Sequence, residues 1–170
     1  MAAGFDVLWI FPAQMLMENA ISGARQGILE DVYKLADEKG LKVIADLPKG
    51  GWYGKTEASE MIQAMNGFAD KFYKRYGDHV SFFGWYFNHE INPITPDDTA
   101  QTRFWRKVWK SVTAHCREIA PETVTTISPF FLLDAESRRG FIYQTPEEWA
   151  GWWGETLRET GIGIMMPQDS

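Results

Sequence analysis

The sequence contains a single cysteine, Cys116, which excludes an internal disulfide framework and a cysteine-based metal cluster. Because Cys116 falls on the apolar stripe of a predicted helix, we interpret it as a small core residue. No apolar run approaches the roughly 18 residues that a membrane-spanning helix needs, so no membrane span is predicted. The first residues carry no basic segment and no cleavage-site pattern, so no signal peptide is predicted within this chain.

Positive charge is also scarce in this sequence. Among 170 residues there are 17 lysines and arginines against 23 aspartates and glutamates, a net charge of −6. Nucleic-acid-binding proteins are usually basic, so this balance argues against a nucleic-acid partner. The three histidines do not combine with Asp or Glu in a metal-ligand spacing, so neither a metal nor another cofactor is predicted. Nothing in the sequence specifies an oligomeric state.

Aromatic residues are abundant: they make up 15% of the chain, with eight tryptophans. Aromatic faces stack on sugar rings, but tryptophan also fills the cores of large barrels, and composition does not separate these uses. Trp105, Trp109 and Trp149 lie at helical spacing and are predicted to be core residues. Trp52 and Tyr53 lie in a polar, glycine-rich segment, where we predict a sugar-stacking platform, with packing of the loop as the alternative.

Five segments are predicted to be buried parallel strands, because each is short, apolar or β-branched, and bounded by Gly, Pro or polar residues. They are residues 5–11, 41–47, 80–87, 123–128 and 162–166. Four amphipathic helical patterns lie between them. The third helix is expected to begin at the N-cap Thr95, with Pro96 at its first position. The fourth is expected to begin at Thr145, where Glu148 completes a capping box.

This order of strands and helices fits two architectures. A doubly wound nucleotide-binding sheet would place a glycine-rich turn directly after the first strand, but residues 12–17 contain no glycine. We therefore predict an α/β fold of the (β/α)8, or TIM-barrel, type, in which parallel strands alternate with helices. A complete barrel takes about 250 residues, so residues 1–170 are expected to form a single incomplete barrel domain.

In such barrels the active site lies at the carboxyl ends of the strands. After the third predicted strand, alternation along an extended chain places Tyr86, Asn88 and Glu90 on one side. A carboxyl group beside aromatic walls suits a general acid for a glycosidic oxygen. Glu90 is therefore predicted to be catalytic, with Tyr86 and Asn88 binding the substrate. The structural alternative is that Glu90 caps the next turn or pairs with Lys49 or an arginine.

Other strand ends supply further candidates. Gln168 and Asp169 follow the fifth strand and are predicted to bind substrate on the opposite side of the mouth. Asp46 lies near the end of the second strand, where a buried carboxylate needs a partner. Lys49 and the two glycines after it could bind an anion through backbone amides. His89 alternates to the face opposite Glu90 and is predicted to pack or to form a hydrogen bond.

Several of these segments together resemble an uncharacterised bacterial family of glycoside-hydrolase-like barrels, a domain of unknown function. They are FGWY (83–86) with EI (90–91), ISPFF (127–131), QD (168–169) and GFDVLWI (4–10). The resemblance implies that the chain spans about strands two to six of an eight-stranded barrel. Glu90 would then end strand four, where a large clan of retaining glycosidases places its acid/base. That clan has Asn directly before the Glu, whereas here His89 separates Asn88 from Glu90.

The resemblance also implies that the nucleophile ends strand seven, which this chain does not contain, and that the protein is periplasmic or extracellular. We therefore expect a glycoside-hydrolase-like protein acting on an oligo- or polysaccharide. Its catalytic pair is expected to be incomplete in this chain, which would be inactive alone. The alternatives are a non-catalytic carbohydrate-binding barrel and a phosphosugar-type barrel enzyme, the latter using Lys49 and the neighbouring glycines.

Overall fold

The computed structural model describes residues 4–21, 26–131 and 144–169. Its strands are β1 (Val7–Ile10), β2 (Lys42–Leu47), β3 (Phe82–Phe87), β4 (Val124–Ile127), β5 (Phe130–Phe131), β6 (Ile164–Met165) and β7 (Gln168–Asp169). Its helices are α1 (Ala13–Met17), α2 (Ile28–Lys39), α3 (Ala58–Tyr76), α4 (Thr99–Ile119) and α5 (Pro146–Thr160). Strands and helices alternate through most of this chain.

Five of the strands form one parallel sheet in the order β1-β2-β3-β4-β6. A second, two-stranded parallel sheet pairs β5 with β7. The register of the large sheet sets Asp46 of β2 beside Tyr86 of β3, and Tyr86 beside Thr126 of β4. The carboxyl ends of neighbouring strands therefore share one edge. The fold is a partial (β/α) barrel, as predicted.

Helices cover one face of the sheet, and large aromatic side chains fill the space between them. Trp85 of β3 is fully buried, and its ring lies 6.0 Å from that of Phe72 on α3. The rings of Trp105 and Trp109 on α4 stack at 5.4 Å, and Trp109 stacks on Trp153 of α5 at 5.6 Å. The tryptophans at helical spacing are therefore core residues, as predicted.

The other face of the sheet carries the side chains that a closed barrel turns inward. Trp9 on β1 is 52% exposed, and its ring lies 6.1 Å from that of Tyr86. Side chains of paired residues in a parallel sheet point to the same face, so Asp46 lies on this face with Tyr86. Asp46 and Tyr86 thus lie on the face opposite to Trp85, the residue against which Phe72 of α3 packs.

The helix starts show where local sequence signals decide the structure. Thr145 caps α5 and forms the predicted capping box, in which Thr145 and Glu148 each accept a hydrogen bond from the other's backbone amide. The predicted start of α4 at Thr95 is wrong. The N-cap is Asp98, whose carboxylate accepts a hydrogen bond from the Gln101 amide at 3.0 Å. A turn closed by the Thr95 carbonyl precedes this cap, so the helix starts later.

The strand bounds lie inside the predicted limits. The first strand runs Val7–Ile10 rather than 5–11, because its register with β2 covers only those residues. The sequence pattern does not predict α1, which is five residues long and follows a cis peptide bond between Phe11 and Pro12. So short a helix shows no 3.6-residue periodicity. Within the described ranges, no helix is long and apolar enough to cross a membrane.

Candidate functional site

A cleft of about 460 Å³ opens at the carboxyl ends of β1, β2 and β3. Three segments line it: the end of β1 with the start of α1, the end of β2, and the end of β3. The lining residues are Phe11, Pro12, Gln14, Met15, Asp46, Pro48, Lys49, Tyr86, Asn88 and Glu90. The structure therefore brings together Tyr86, Asn88 and Glu90, the three site residues predicted after the third strand.

Asp46 connects these three segments. It is only 3% exposed, and its carboxylate accepts hydrogen bonds from the backbone N–H of Ala13 at 2.5 Å and from Nδ2 of Asn88 at 2.9 Å. An amide in the first turn of a helix has no partner within that helix, so Asp46 satisfies Ala13 and holds α1 against β2. Burial disfavours the charged carboxylate and raises the pKa of Asp46 to about 6.

Asn88 is held through only one end of its side-chain amide. Nδ2 donates to Asp46, whereas Oδ1 is buried and has no hydrogen-bond partner among the described residues. An ionised carboxylate can only accept hydrogen bonds, which assigns the nitrogen of Asn88 to that side. A buried acceptor without a partner destabilises a protein by about 1–3 kcal/mol. Asn88, a lining residue of the cleft, therefore carries one acceptor that no described group satisfies.

Tyr86 lines the cleft from β3 and is half-buried. Burial raises the pKa of its phenol, and the negative charges of Glu90 and Asp46 raise that pKa further, whereas a hydrogen bond with the side chain of Ser128 lowers it. The hydroxyl is therefore protonated at neutral pH. Because Oγ of Ser128 donates to the Met166 carbonyl at 2.6 Å, the Tyr86 hydroxyl is the donor to Ser128 and keeps its acceptor capacity. The cleft thus combines an aromatic ring and a hydroxyl acceptor with the carboxylates.

Glu90 lies exposed in the lining of the cleft. Within the described part of the chain its carboxylate has no hydrogen bond and no ion pair. Lys49 lines the same cleft, but its ammonium group lies over the ring of Trp52, 5.4 Å from the ring centre. The alternative in which Glu90 caps a turn or pairs with Lys49 is therefore not found among these residues. Its carboxylate is accessible to a molecule in the cleft.

His89 lies between Asn88 and Glu90 in the sequence but points into the core. It is fully buried, its Nε2 lies 2.9 Å from the carbonyl oxygen of Lys49, and its ring lies 4.8 Å from that of Trp105. Burial lowers the pKa of His89 to about 4, so the ring is neutral and Nε2 donates the hydrogen bond. His89 therefore joins the segment after β2 to the end of β3.

Trp52 and Tyr53 lie outside the lining of the cleft. Trp52 packs edge-on against Trp105 with ring centres 5.4 Å apart, and Tyr53 packs edge-on against Phe104 at 5.2 Å. Both rings are partly buried against the hydrophobic core beneath α4. These contacts hold the segment between β2 and α3 in place, and a sugar contact by either ring stays a prediction.

Gln168 also lies outside the lining of the cleft. Nε2 of Gln168 donates to the carbonyl oxygen of Ser128 at 3.1 Å. The backbone of Asp169 pairs with Phe131, and its side chain lies outside the described part of the structure. The structure therefore does not bring Gln168 together with Glu90, and the binding roles of Gln168 and Asp169 stay predictions.

The conformation of the backbone explains why the two residues after Lys49 are glycines. Gly50 has a φ of 68°, and a Cβ there would lie 3.3 Å from the backbone of Met61. Gly51 has a φ of 146°, and a Cβ there would overlap the side chain of Thr56. Glycine is needed at both positions whether or not an anion binds.

In the described ranges, no group of three or more His, Cys, Asp or Glu side chains could hold a metal ion.

Sequence patterns did not identify the roles of Asp46 and α1 in this cleft. The available signal was the carboxylate itself, because an aspartate between the apolar residues Ala45 and Leu47 of a buried strand needs a hydrogen-bond donor. The donor, the backbone amide of Ala13, lies 33 residues earlier in the chain. A backbone amide has no sequence signature, so this contact could not be predicted.

The fold and site together define a partial (β/α) barrel with a carboxylate-lined cleft at the carboxyl ends of its strands. Residues 3–170 match the model of a family described as a domain of unknown function, DUF4434. The chain belongs to this family, in agreement with the resemblance noted from its strand-end motifs. None of the curated proteins compared with the chain matches it.

Several solved structures are similar to this chain in fold. A candidate alpha-L-fucosidase from Bacteroides thetaiotaomicron matches with a TM-score of 0.70 at 19% identity, over 97% of this chain and 53% of that chain. An endo-1,4-beta-xylanase from Caldicellulosiruptor owensensis gives 0.58 at 15% identity, over 96% and 53%. The catalytic domain of the major endoglucanase from Xanthomonas campestris pv. campestris gives 0.54 at 14% identity, over 98% and 53%. The chain spans about half the length of these barrel structures.

Proposed function

We propose that this protein acts on a carbohydrate as a glycoside hydrolase, with Glu90 as the general acid/base. The main support is the carboxylate of Glu90, which lines the cleft with no ion pair or hydrogen bond among the described residues. A proton donor has to reach the glycosidic oxygen, and a carboxyl group tied to a lysine or arginine could not do so. Proteins of similar fold are described as a fucosidase, a xylanase and an endoglucanase, which also supports this class of substrate.

The remaining lining of the cleft suits a sugar. Its volume of about 460 Å³ falls within the range of about 300–1,000 Å³ that is usual for small-molecule sites. We assign the hydroxyl of Tyr86 and Oδ1 of Asn88 as acceptors from sugar hydroxyls. Phe11 is 67% exposed and Met15 is 44% exposed. Together they give the cleft an apolar wall against which a pyranose ring could stack.

Glycoside hydrolysis with an acid/base also needs a second carboxylate. Asp46 is the other carboxylate in the cleft, but it is buried and accepts hydrogen bonds from Ala13 and Asn88. We therefore assign Asp46 to the support of the site. We propose that the second catalytic carboxylate comes from outside the described residues, which agrees with the position at the end of strand seven that the family resemblance implies.

A kinetic comparison of the full-length protein with its Glu90→Gln variant tests this proposal. A panel of 4-nitrophenyl α- and β-glycosides of fucose, xylose, glucose and galactose first identifies the sugar. The phenyl glycoside of that sugar is then the substrate, because its leaving group needs a proton. We expect kcat/KM to fall about 10²- to 10⁴-fold in Glu90→Gln.

The matched control is Glu122→Gln, which changes an exposed glutamate before the amino end of β4. We expect it to keep the wild-type rate, because it lies at the opposite edge of the sheet from the cleft. Undiminished turnover by Glu90→Gln would refute the assignment of the proton donor. Saturable binding of the sugar without hydrolysis by the wild-type protein would favour the non-catalytic carbohydrate-binding alternative.

A further inference from the structure

The hydrogen bond between Asp46 and Asn88 determines which end of the Asn88 amide is left without a partner among the described residues. The carboxylate is held in place by the Ala13 amide at 2.5 Å, and it receives Nδ2 of Asn88 at 2.9 Å. Since a carboxylate offers acceptors only, the amide nitrogen must face β2. The carbonyl oxygen of Asn88 is then the free end, and it is buried with no partner among the described residues.

We propose that Asp46 is a positioning residue that fixes the amide of Asn88 so that the site offers a hydrogen-bond acceptor to a ligand hydroxyl. This inference rests on the proposed carbohydrate function for the identity of the ligand. Asp46 itself is almost fully buried and already has two donors. It therefore acts through Asn88 and does not contact the ligand.

An isosteric substitution separates this role from general packing. In Asp46→Asn the new amide can still accept from the Ala13 N–H, but its own NH₂ group then faces the NH₂ group of Asn88. The backbone donor at position 13 cannot change, so the conflict between two donors is removed only when the Asn88 amide rotates by half a turn. The rotated amide offers NH₂ where the wild-type protein offers an oxygen. The polarity of this contact is thereby inverted with little change in volume.

The first readout is a double-mutant cycle on kcat/KM for the phenyl glycoside that the wild-type protein hydrolyses. We expect Asp46→Asn to lower kcat/KM about 10- to 100-fold, the range for a buried polar group left facing a like partner. In an Asn88→Ala background the same substitution is expected to change kcat/KM by at most about twofold, because no amide remains to be turned. Equal losses in both backgrounds would show that Asp46 acts independently of Asn88 and would overturn the proposal.

The second readout does not depend on any sugar. In protein labelled with ¹⁵N-asparagine, the side-chain NH₂ signals of Asn88 are identified by their disappearance in Asn88→Ala. We expect one of its two protons to be shifted downfield by the charged acceptor, and to lose that shift in Asp46→Asn. Other ionisable groups lining the cleft, Glu90, Lys49 and Tyr86, are unchanged in this variant. An Asn88 signal identical in both proteins would refute the assigned orientation.

The two readouts separate this inference from the proposed function. A downfield Asn88 proton in a wild-type protein that neither binds nor hydrolyses any glycoside of the panel would support the orientation and refute the carbohydrate role. Active wild-type protein with additive effects in the cycle would support the carbohydrate role and refute the positioning role. Circular dichroism and thermal unfolding of each variant show whether a loss of activity reflects a loss of fold.

Discussion

The buried carboxylate of Asp46 makes the stability of this protein depend on pH in a direction that can be worked out. Its pKa is about 6 in the folded protein, against an ordinary value of 3.8 for an aspartate in water. Between these values the folded state binds a proton that the unfolded state does not, so this group destabilises the fold progressively as the pH rises. This difference in pKa corresponds to a loss of about 3 kcal/mol in the free energy of unfolding, which is complete above about pH 6.

His89 has the opposite effect on the stability of the protein over the same range of pH. Its pKa is about 4 in the folded protein, against an ordinary value of 6.5 for a histidine in water. The unfolded state therefore binds more protons than the folded state between these values, and His89 makes the protein more stable as the pH rises. The two buried groups largely cancel in the wild-type profile. The contribution of Asp46 to the free energy of unfolding is therefore measured as the difference between the wild type and a variant of Asp46.

Urea denaturation of the wild type and of Asp46→Asn between about pH 4 and pH 7 isolates this contribution. We expect the free energy of unfolding of the wild type, relative to the variant, to decrease by about 3 kcal/mol as the pH rises across this range. Asp78→Asn, which removes an exposed carboxylate, is the control for loss of one surface charge. A difference between wild type and Asp46→Asn that is flat, or that increases with pH, would contradict the environment assigned to Asp46.

Two further predictions concern the segments around the cleft. Gly51→Ala is expected to destabilise the protein by about 1–3 kcal/mol, because of its positive φ and the overlap with Thr56. Gly67→Ala, in open space on α3, is expected to stabilise it by about 0.5–1 kcal/mol, and equal urea midpoints for the two variants would refute this difference. His89 is expected to remain a neutral Nε2–H tautomer between about pH 5 and pH 8 by ¹⁵N NMR. A ring with the ordinary histidine pKa of 6.5 would refute its burial.

Much of the fold could be predicted because its strongest determinants are local. The stripe of tryptophans on α4 and α5 marks their buried faces, and Thr145 with Glu148 marks the start of α5 through a contact between near neighbours. The start of α4 was missed because Thr95 and Asp98 are both acceptable caps. Only the turn formed by the residues between them decides in favour of Asp98.

The site was predictable only in part, for a related reason. Strand alternation alone places Tyr86, Asn88 and Glu90 on one side, and the structure gathers all three in one cleft. The bridge from Asp46 to Ala13 and Asn88 joins residues that are 33 and 42 positions apart, and nothing in the local sequence encodes such a distance. The packing of Trp52 and Tyr53 against α4 could not be predicted from the glycine-rich segment that contains them. The residues they contact, Trp105 and Phe104, lie about 50 positions later in the chain.

The dependence of the rate on the leaving group tests the role of Glu90 as proton donor most directly. A phenolate leaving group requires a proton in the transition state, whereas a 2,4-dinitrophenolate departs without one. We expect Glu90→Gln to lose about 10²- to 10⁴-fold in kcat/KM on the phenyl glycoside, and far less on the 2,4-dinitrophenyl glycoside of the same sugar. Equal losses on both substrates, or no loss on either, would contradict the assignment of Glu90 as the acid.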